Sequence, residues 1–214
     1  MRSRLVVCAL AIAGALVPVA HAQVRALRPA DAALLSRPPT YEERIAEQVA
    51  ARLTHLHPEV RCGPLGSAVG PRILGITLFD TRGPAGYFLM RPQMCTDLAA
   101  FRASPAAYDP RACADSACID RAADAATALA TVSHESYHLL GYRNEAQVEC
   151  YGMQSIWFVA ERLGASVDLA QAVASFYATR IYPLRRTQTP TYWSPQCRSG
   201  GRYDLRPTLD RWPS

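Results

Sequence analysis

Two histidines one helical turn apart, with a glutamate between them, constrain this chain more than any other feature. They lie in His134-Glu135-Ser136-Tyr137-His138, followed closely by Asn144-Glu145-Ala146-Gln147-Val148-Glu149. On a helix, residues four apart share a face, so His134 and His138 can offer two imidazole nitrogens to one ion. A tetrahedral zinc that keeps one position for water needs one further protein ligand, usually a histidine or a carboxylate. Glu145 supplies a carboxylate soon after the helix should end. Glu135 projects from the turn between the histidines, where it can take a proton from water activated by the ion. The spacing predicts a zinc hydrolase site with His134, His138 and Glu145 as ligands and Glu135 as general base.

The motif helix should run from about Asp120 to Leu140. Ala125, Leu129, Val132, Leu139 and Leu140 fall on one side and predict a core-facing stripe. Thr127, Thr131, His134 and His138 share the other side. There the short side chains of Ala123, Thr127, Ala130 and Thr131 leave room for a metal and a substrate. Gly141 suits the left-handed residue that ends the helix. Asn144, with Gln147 three residues on, predicts the start of a second helix that Gly164 closes. On it Glu145, Glu149, Gly152 and Ile156 form one stripe, and Gly152 would let the two helices approach closely. Glu149 can accept the second ring N–H of a ligand histidine and fix its tautomer, or be an ordinary solvated glutamate. Asn144 and Glu149 compete with Glu145 as third ligand. Asn144 stands at the position that the metzincin spacing reserves for a better zinc donor.

The chain around this stretch reads as an exported, single-domain protein. Arg2 and Arg4 precede an apolar run from Leu5 to Ala20 and the small-residue pattern Ala20-His21-Ala22, which predicts a secretory signal peptide over 1–22. Residues 23–39, rich in Ala, Arg and Pro, predict a linker or mobile arm. A domain over 40–183 and a packed C-terminal tail over 184–214 follow. Six cysteines remain beyond the leader, and an even count in an exported chain argues for disulfides. The expected pairs are Cys113 with Cys118, Cys62 with Cys95, and Cys150 with Cys197. The formal net charge of +5 comes entirely from arginine, since the chain has no lysine. Arginines between Arg180 and Arg211 suggest a solvated tail or contact with an anionic wall or membrane surface. Nothing resembles a nucleic-acid motif, and no stretch beyond the leader is apolar enough for stable membrane insertion.

Thr40, with Glu43 three residues on, predicts a capping box. Ile45, Val49, Leu53 and Leu56 continue at helical spacing, with Pro58 as a stop. His55 and His57 read as surface or helix-end histidines. Ile73–Phe79 and Tyr87–Met90 predict a β-hairpin with a long loop, whose exposed edge could pair with an extended peptide. Residues 103–118 predict a stapled loop. A third helix is expected from about Ser166 to Tyr182, ending at Pro183.

His134-Glu135-x-x-His138 with Asn144-Glu145-x-x-x-Glu149 resembles the gluzincin metallopeptidases, the clan of thermolysin. Those carry HExxH on one helix and the ligand glutamate in an Asn-Glu-x-x-x-Asp segment on the next. The resemblance implies zinc at His134, His138 and Glu145, a general base at Glu135 and an orienting acid at Glu149. The stretch from His138 to Glu145 is shorter than in thermolysin, and Glu149 stands where that clan has aspartate. The expected fold is α+β, a mainly helical zincin-like domain with a small antiparallel sheet, stapled by disulfides. The expected function is a secreted or periplasmic zinc (Zn2+) metallopeptidase acting on a peptide or protein substrate, with a cell-wall amide as a variant. Tyr137, Tyr142 and Tyr192 are candidate donors to the oxyanion. The alternative is a secreted, disulfide-stapled binding protein whose zinc site is structural or vestigial.

Overall fold

The chain runs through helix α1 (Pro29–Ser36), helix α2 (Tyr41–Thr54) and strands β1 (Glu59–Cys62), β2 (Gly75–Phe79) and β3 (Pro84–Met90). Helices α3 (Pro92–Ala103), α4 (Ser116–Leu139), α5 (Glu145–Arg162), α6 (Val167–Phe176) and α7 (Tyr182–Gln188) follow. This computed structural model describes residues 29–65, 70, 72–208 and 212–213. The expected signal peptide and the first residues of the expected arm lie outside them. The rest of that arm contains α1 and, at Arg37, an ion pair to the Glu43 carboxylate.

Local chemistry sets the helix ends. Thr40 Oγ1 accepts from the Glu43 amide, and the Glu43 side chain accepts from the Thr40 amide, completing the capping box that opens α2. Asp115 caps α4 through the Cys118 amide, so the motif helix starts at Ser116, a turn before Asp120. Asn144 caps α5 through the Gln147 amide. Gly141 and Gly164 follow α4 and α5 at φ +92° and +95°, left-handed values that disfavour any residue with a Cβ.

The centre of the core is the apolar side of α4. Ala125, Leu129 and Val132 pack with Ile45 and Val49 of α2, Leu98 and Phe101 of α3, and Ile156 of α5. Leu140, expected on that stripe, is exposed because α4 ends one residue before it.

The sheet has the order β1-β3-β2. β2 and β3 pair antiparallel, with Ile76 opposite Leu89, as the hairpin reading requires. β1 joins β3 in parallel, with Val60 opposite Phe88, which makes the sheet mixed rather than purely antiparallel. Short and charged, this strand gave no alternation to read, and α2 holds it in place. The Val60 amide donates to Glu47, and the Cys62 amide donates to Glu43. Those carboxylates cover the β1 edge, and β2 forms the opposite edge, beside α4.

All three expected disulfides are present: Cys62–Cys95, Cys113–Cys118 and Cys150–Cys197. Pro183 does not end the third helix. A π-helical turn over Tyr177–Ile181 shifts the register, and Pro183 falls in the first turn of α7, where its missing N–H costs no hydrogen bond. The tail folds back on α5. Buried Gln154 donates to the Tyr203 carbonyl and accepts from the Leu205 amide, and Arg206 donates to the Gln154 carbonyl. Among the described residues, no helix is long and apolar enough to cross a membrane.

Candidate metal centre

The last turns of α4 and the first turn of α5 bring three side chains to one point. His134 Nε2 lies 3.1 Å from His138 Nε2 and 3.2 Å from Glu145 Oε2. His138 Nε2 lies 3.3 Å from the same oxygen. Helical spacing accounts for the two histidines, and the turn at Gly141 with the Asn144 cap puts Glu145 at the first helical position. Gly152 allows the helices to sit this close. A Cβ there would stand 3.0 Å from the His134 amide nitrogen and 3.2 Å from its Cα. Asn144 is not part of the cluster, because its side-chain oxygen is used on the Gln147 amide.

The outer ring nitrogens decide what this point can hold. His134 Nδ1 is 2.9 Å from Glu149 Oε2, and His138 Nδ1 is 2.8 Å from the Tyr142 carbonyl oxygen. Both partners only accept, so in each neutral ring Nδ1 carries the proton and Nε2 presents a lone pair. With both rings neutral, two lone pairs and a carboxylate oxygen therefore face one another with no hydrogen to share. Such a triad could hold a metal ion. Metal bonds of about 2.0–2.1 Å in a tetrahedron give ligand–ligand edges of roughly 3.3 Å, which the three separations match. The His134, His138 and Glu145 donors are the group among the described residues that could hold a metal ion.

With no ion, the same field recruits a proton. Burial works to lower the His134 pKa, but the hydrogen bonds to Glu145 and Glu149 overcome it and push it up to about 10. Burial would raise the Glu145 pKa, yet both histidines hold it well below the usual carboxylate range.

Glu149 is buried, not solvated. One oxygen faces His134, and the other accepts from the Tyr177 hydroxyl at 2.6 Å and from Arg185 Nε at 3.1 Å. Arg185 Nη2 also donates to the Tyr177 oxygen. These donors outweigh burial, so Glu149 stays ionised and fixes the His134 tautomer. Tyr177 and Arg185 were not anticipated. Nothing in the sequence sets Tyr177 apart, and Arg185 lies in an arginine-rich stretch.

Glu135 sits on the other side of the triad, also buried. The Thr77 hydroxyl on β2 lies 2.8 Å from its Oε2 and 3.1 Å from its carbonyl oxygen. Burial pushes the Glu135 pKa up, and the two histidines and Thr77 only temper the rise. Gly75 makes room for this side chain, since a Cβ there would meet Glu135 Oε1 at 2.6 Å. The carboxylate faces a cleft that His134, Gly75, Arg185 and Tyr192 also line. The Tyr192 ring lies over His134, with centroids 5.5 Å apart and planes at 31°. Tyr137 instead bonds Ser155, and Tyr142 stacks with Tyr137 and Tyr151. Of the three tyrosines, Tyr192 alone reaches the cleft. His55 is a left-handed, exposed cap of α2, and His57 is exposed.

Comparison of the chain with known protein families, with curated proteins and with solved structures found no match.

Proposed function

We propose that this chain is an exported zinc metallopeptidase that hydrolyses peptide (amide) bonds. The observation that carries the reading is the convergence of two imidazole nitrogens and a carboxylate oxygen on one point, beside a separate buried carboxylate that opens on a cleft. Two imidazoles and one carboxylate suit zinc, with a position left for water. His134, His138 and Glu145 would hold the ion, which would supply Lewis acidity and make water acidic enough to lose a proton near neutral pH.

Glu135 then serves as general base. Its raised pKa suits a group that must accept a proton from water and pass it to the leaving nitrogen. Glu149 keeps the His134 lone pair directed at the ligand point, and Tyr177 and Arg185 keep Glu149 in place. The Tyr192 hydroxyl is one donor available to an oxygen that gains negative charge in the cleft. β2, a sheet edge beside Glu135, supports an extended peptide as substrate. Three disulfides suit an oxidising compartment outside the cytoplasm, in line with the leader-like N-terminus.

The test is digestion of a peptide library by the purified chain, read by mass spectrometry, with chelator and with zinc restored. The expected result is cleavage that chelation abolishes and zinc recovers. Cleavage that survives chelation would overturn the metal role. A zinc-loaded protein that cleaves nothing would favour the binding-protein alternative.

A further inference from the structure

One wall of the cleft is cationic in a way that water activation does not use. Arg185 spends Nε on Glu149 and Nη2 on Tyr177, which leaves Nη1 as its remaining edge at the cleft it lines. Arg72, just before β2, lines the same cleft and is tied to α7 by a 2.8 Å bond from Nη1 to the Gln188 carbonyl. Thr189 lines the same cleft, and its buried hydroxyl has no hydrogen-bond partner. An unsatisfied buried hydroxyl costs free energy, and a ligand that supplied an acceptor would remove that cost.

The charge balance points the same way. Glu135, Glu145 and Glu149 set three negative charges against the two of Arg72 and Arg185. A divalent ion at the triad reverses the sign and leaves the centre with one positive charge in excess. Guanidinium edges and a hydroxyl are the donors that recognise a planar carboxylate.

Taking the peptide-cleaving reading as its premise, the geometry points to a substrate-carboxylate subsite formed by Arg72, Arg185 and Thr189 beside the scissile position. The carboxylate is either the free C-terminus of a peptide or an acidic side chain next to the cleaved bond. The chain thus prefers acidic-ended peptides over neutral ones.

Binding to the zinc-loaded Glu135→Gln protein, measured by calorimetry, tests this without turnover. The probes are an N-acetyl dipeptide acid, the same dipeptide as its C-terminal amide, and an amide with a glutamate side chain. The acid is expected to bind about tenfold tighter than the neutral amide, the worth of one charge-assisted hydrogen bond. Arg72→Gln and Thr189→Val should each shrink that gap. Equal or absent binding of acid and amide would overturn the subsite. So would a gap that neither substitution moves, since the carboxylate would then sit on the metal. If the glutamate amide matches the acid, the subsite reads side chains; if it matches the neutral amide, it reads chain ends, and either result supports the subsite. Wild-type protein that cleaves no peptide while the binding gap and its dependence hold would remove hydrolysis and leave the subsite standing.

Discussion

Glu43 and Glu135 are both hidden glutamates on helices, and their surroundings are opposite. Glu43, at the start of α2, is 0% exposed and accepts from the Arg37 guanidinium and from the amides of Thr40 and Cys62. Burial alone would raise its pKa, but those donors outweigh it and hold the carboxylate ionised. Glu135, 4% exposed, has Thr77 as its side-chain donor; burial pushes its pKa up, and Thr77 and the two histidines only temper the rise. The first carboxylate is saturated with donors and ties Arg37, just after α1, to α2 and β1. The second faces a cleft with a free oxygen and takes up protons more readily. Burial alone does not separate the two carboxylates; the donors around them do.

The largest effect expected from this contrast is on Glu135→Gln. It should keep its zinc and lose turnover by roughly 10³-fold, within the usual range for a general base. Kinetics alongside zinc analysis checks it, and an active variant would put Glu135 in the same class as Glu43.

Gly75→Ala sharpens the point, because it leaves Glu135 in the chain and displaces only its side chain. The atoms nearest the new Cβ are Oε1, Cγ and Cδ of Glu135, so that side chain would have to swing aside while the backbone keeps its course. Activity should fall on the order of 100-fold, as for a misplaced catalytic group, with a melting temperature near that of the wild type. Activity at the wild-type level would show that the position of Glu135 is not critical.

Glu149→Gln should weaken zinc binding about 10- to 100-fold, the cost of losing the carboxylate behind a ligand histidine. Zinc titration would show this, and Glu43→Gln should leave the zinc affinity alone.

The smallest effect on the site, and the clearest on stability, is that of Glu43→Gln, which should cost about 2 kcal/mol by denaturant titration at neutral pH. Because the folded carboxyl titrates below its unfolded value, its contribution is full above the unfolded pKa of about 4.3 and is lost as pH falls through the folded value. The stability gap between wild type and Glu43→Gln should therefore close on acidification. A gap that stays constant from neutral to acid pH would contradict the role given to Glu43.

What could be read from the chain was local. Thr40 with Glu43, Asn144 with Gln147, and Gly141 and Gly164 mark helix ends within a few residues, because capping is satisfied by near neighbours. His134, His138 and Glu145 were readable because a helix, a turn and a capped start set their spacing. Gly75 and Thr77 were not, since they meet Glu135 across 58 residues for Thr77. Arg185 reaches Glu149 across 36 residues, and nothing in the sequence sets it apart from the arginines around it. β1 escaped notice because its place beside β3 depends on Glu43 and Glu47 of α2 rather than on its own pattern. Pro183 misled for a similar reason, as the π turn before it returns the proline to a harmless first-turn position.

Zinc titration of the wild-type chain against Glu145→Gln tests most directly whether three donors share one cation. The expected result is one tightly bound zinc per chain in the wild type and loss of that binding when the carboxylate becomes an amide. A wild-type chain that takes up no zinc, or a Glu145→Gln chain that binds it equally well, would contradict the shared site.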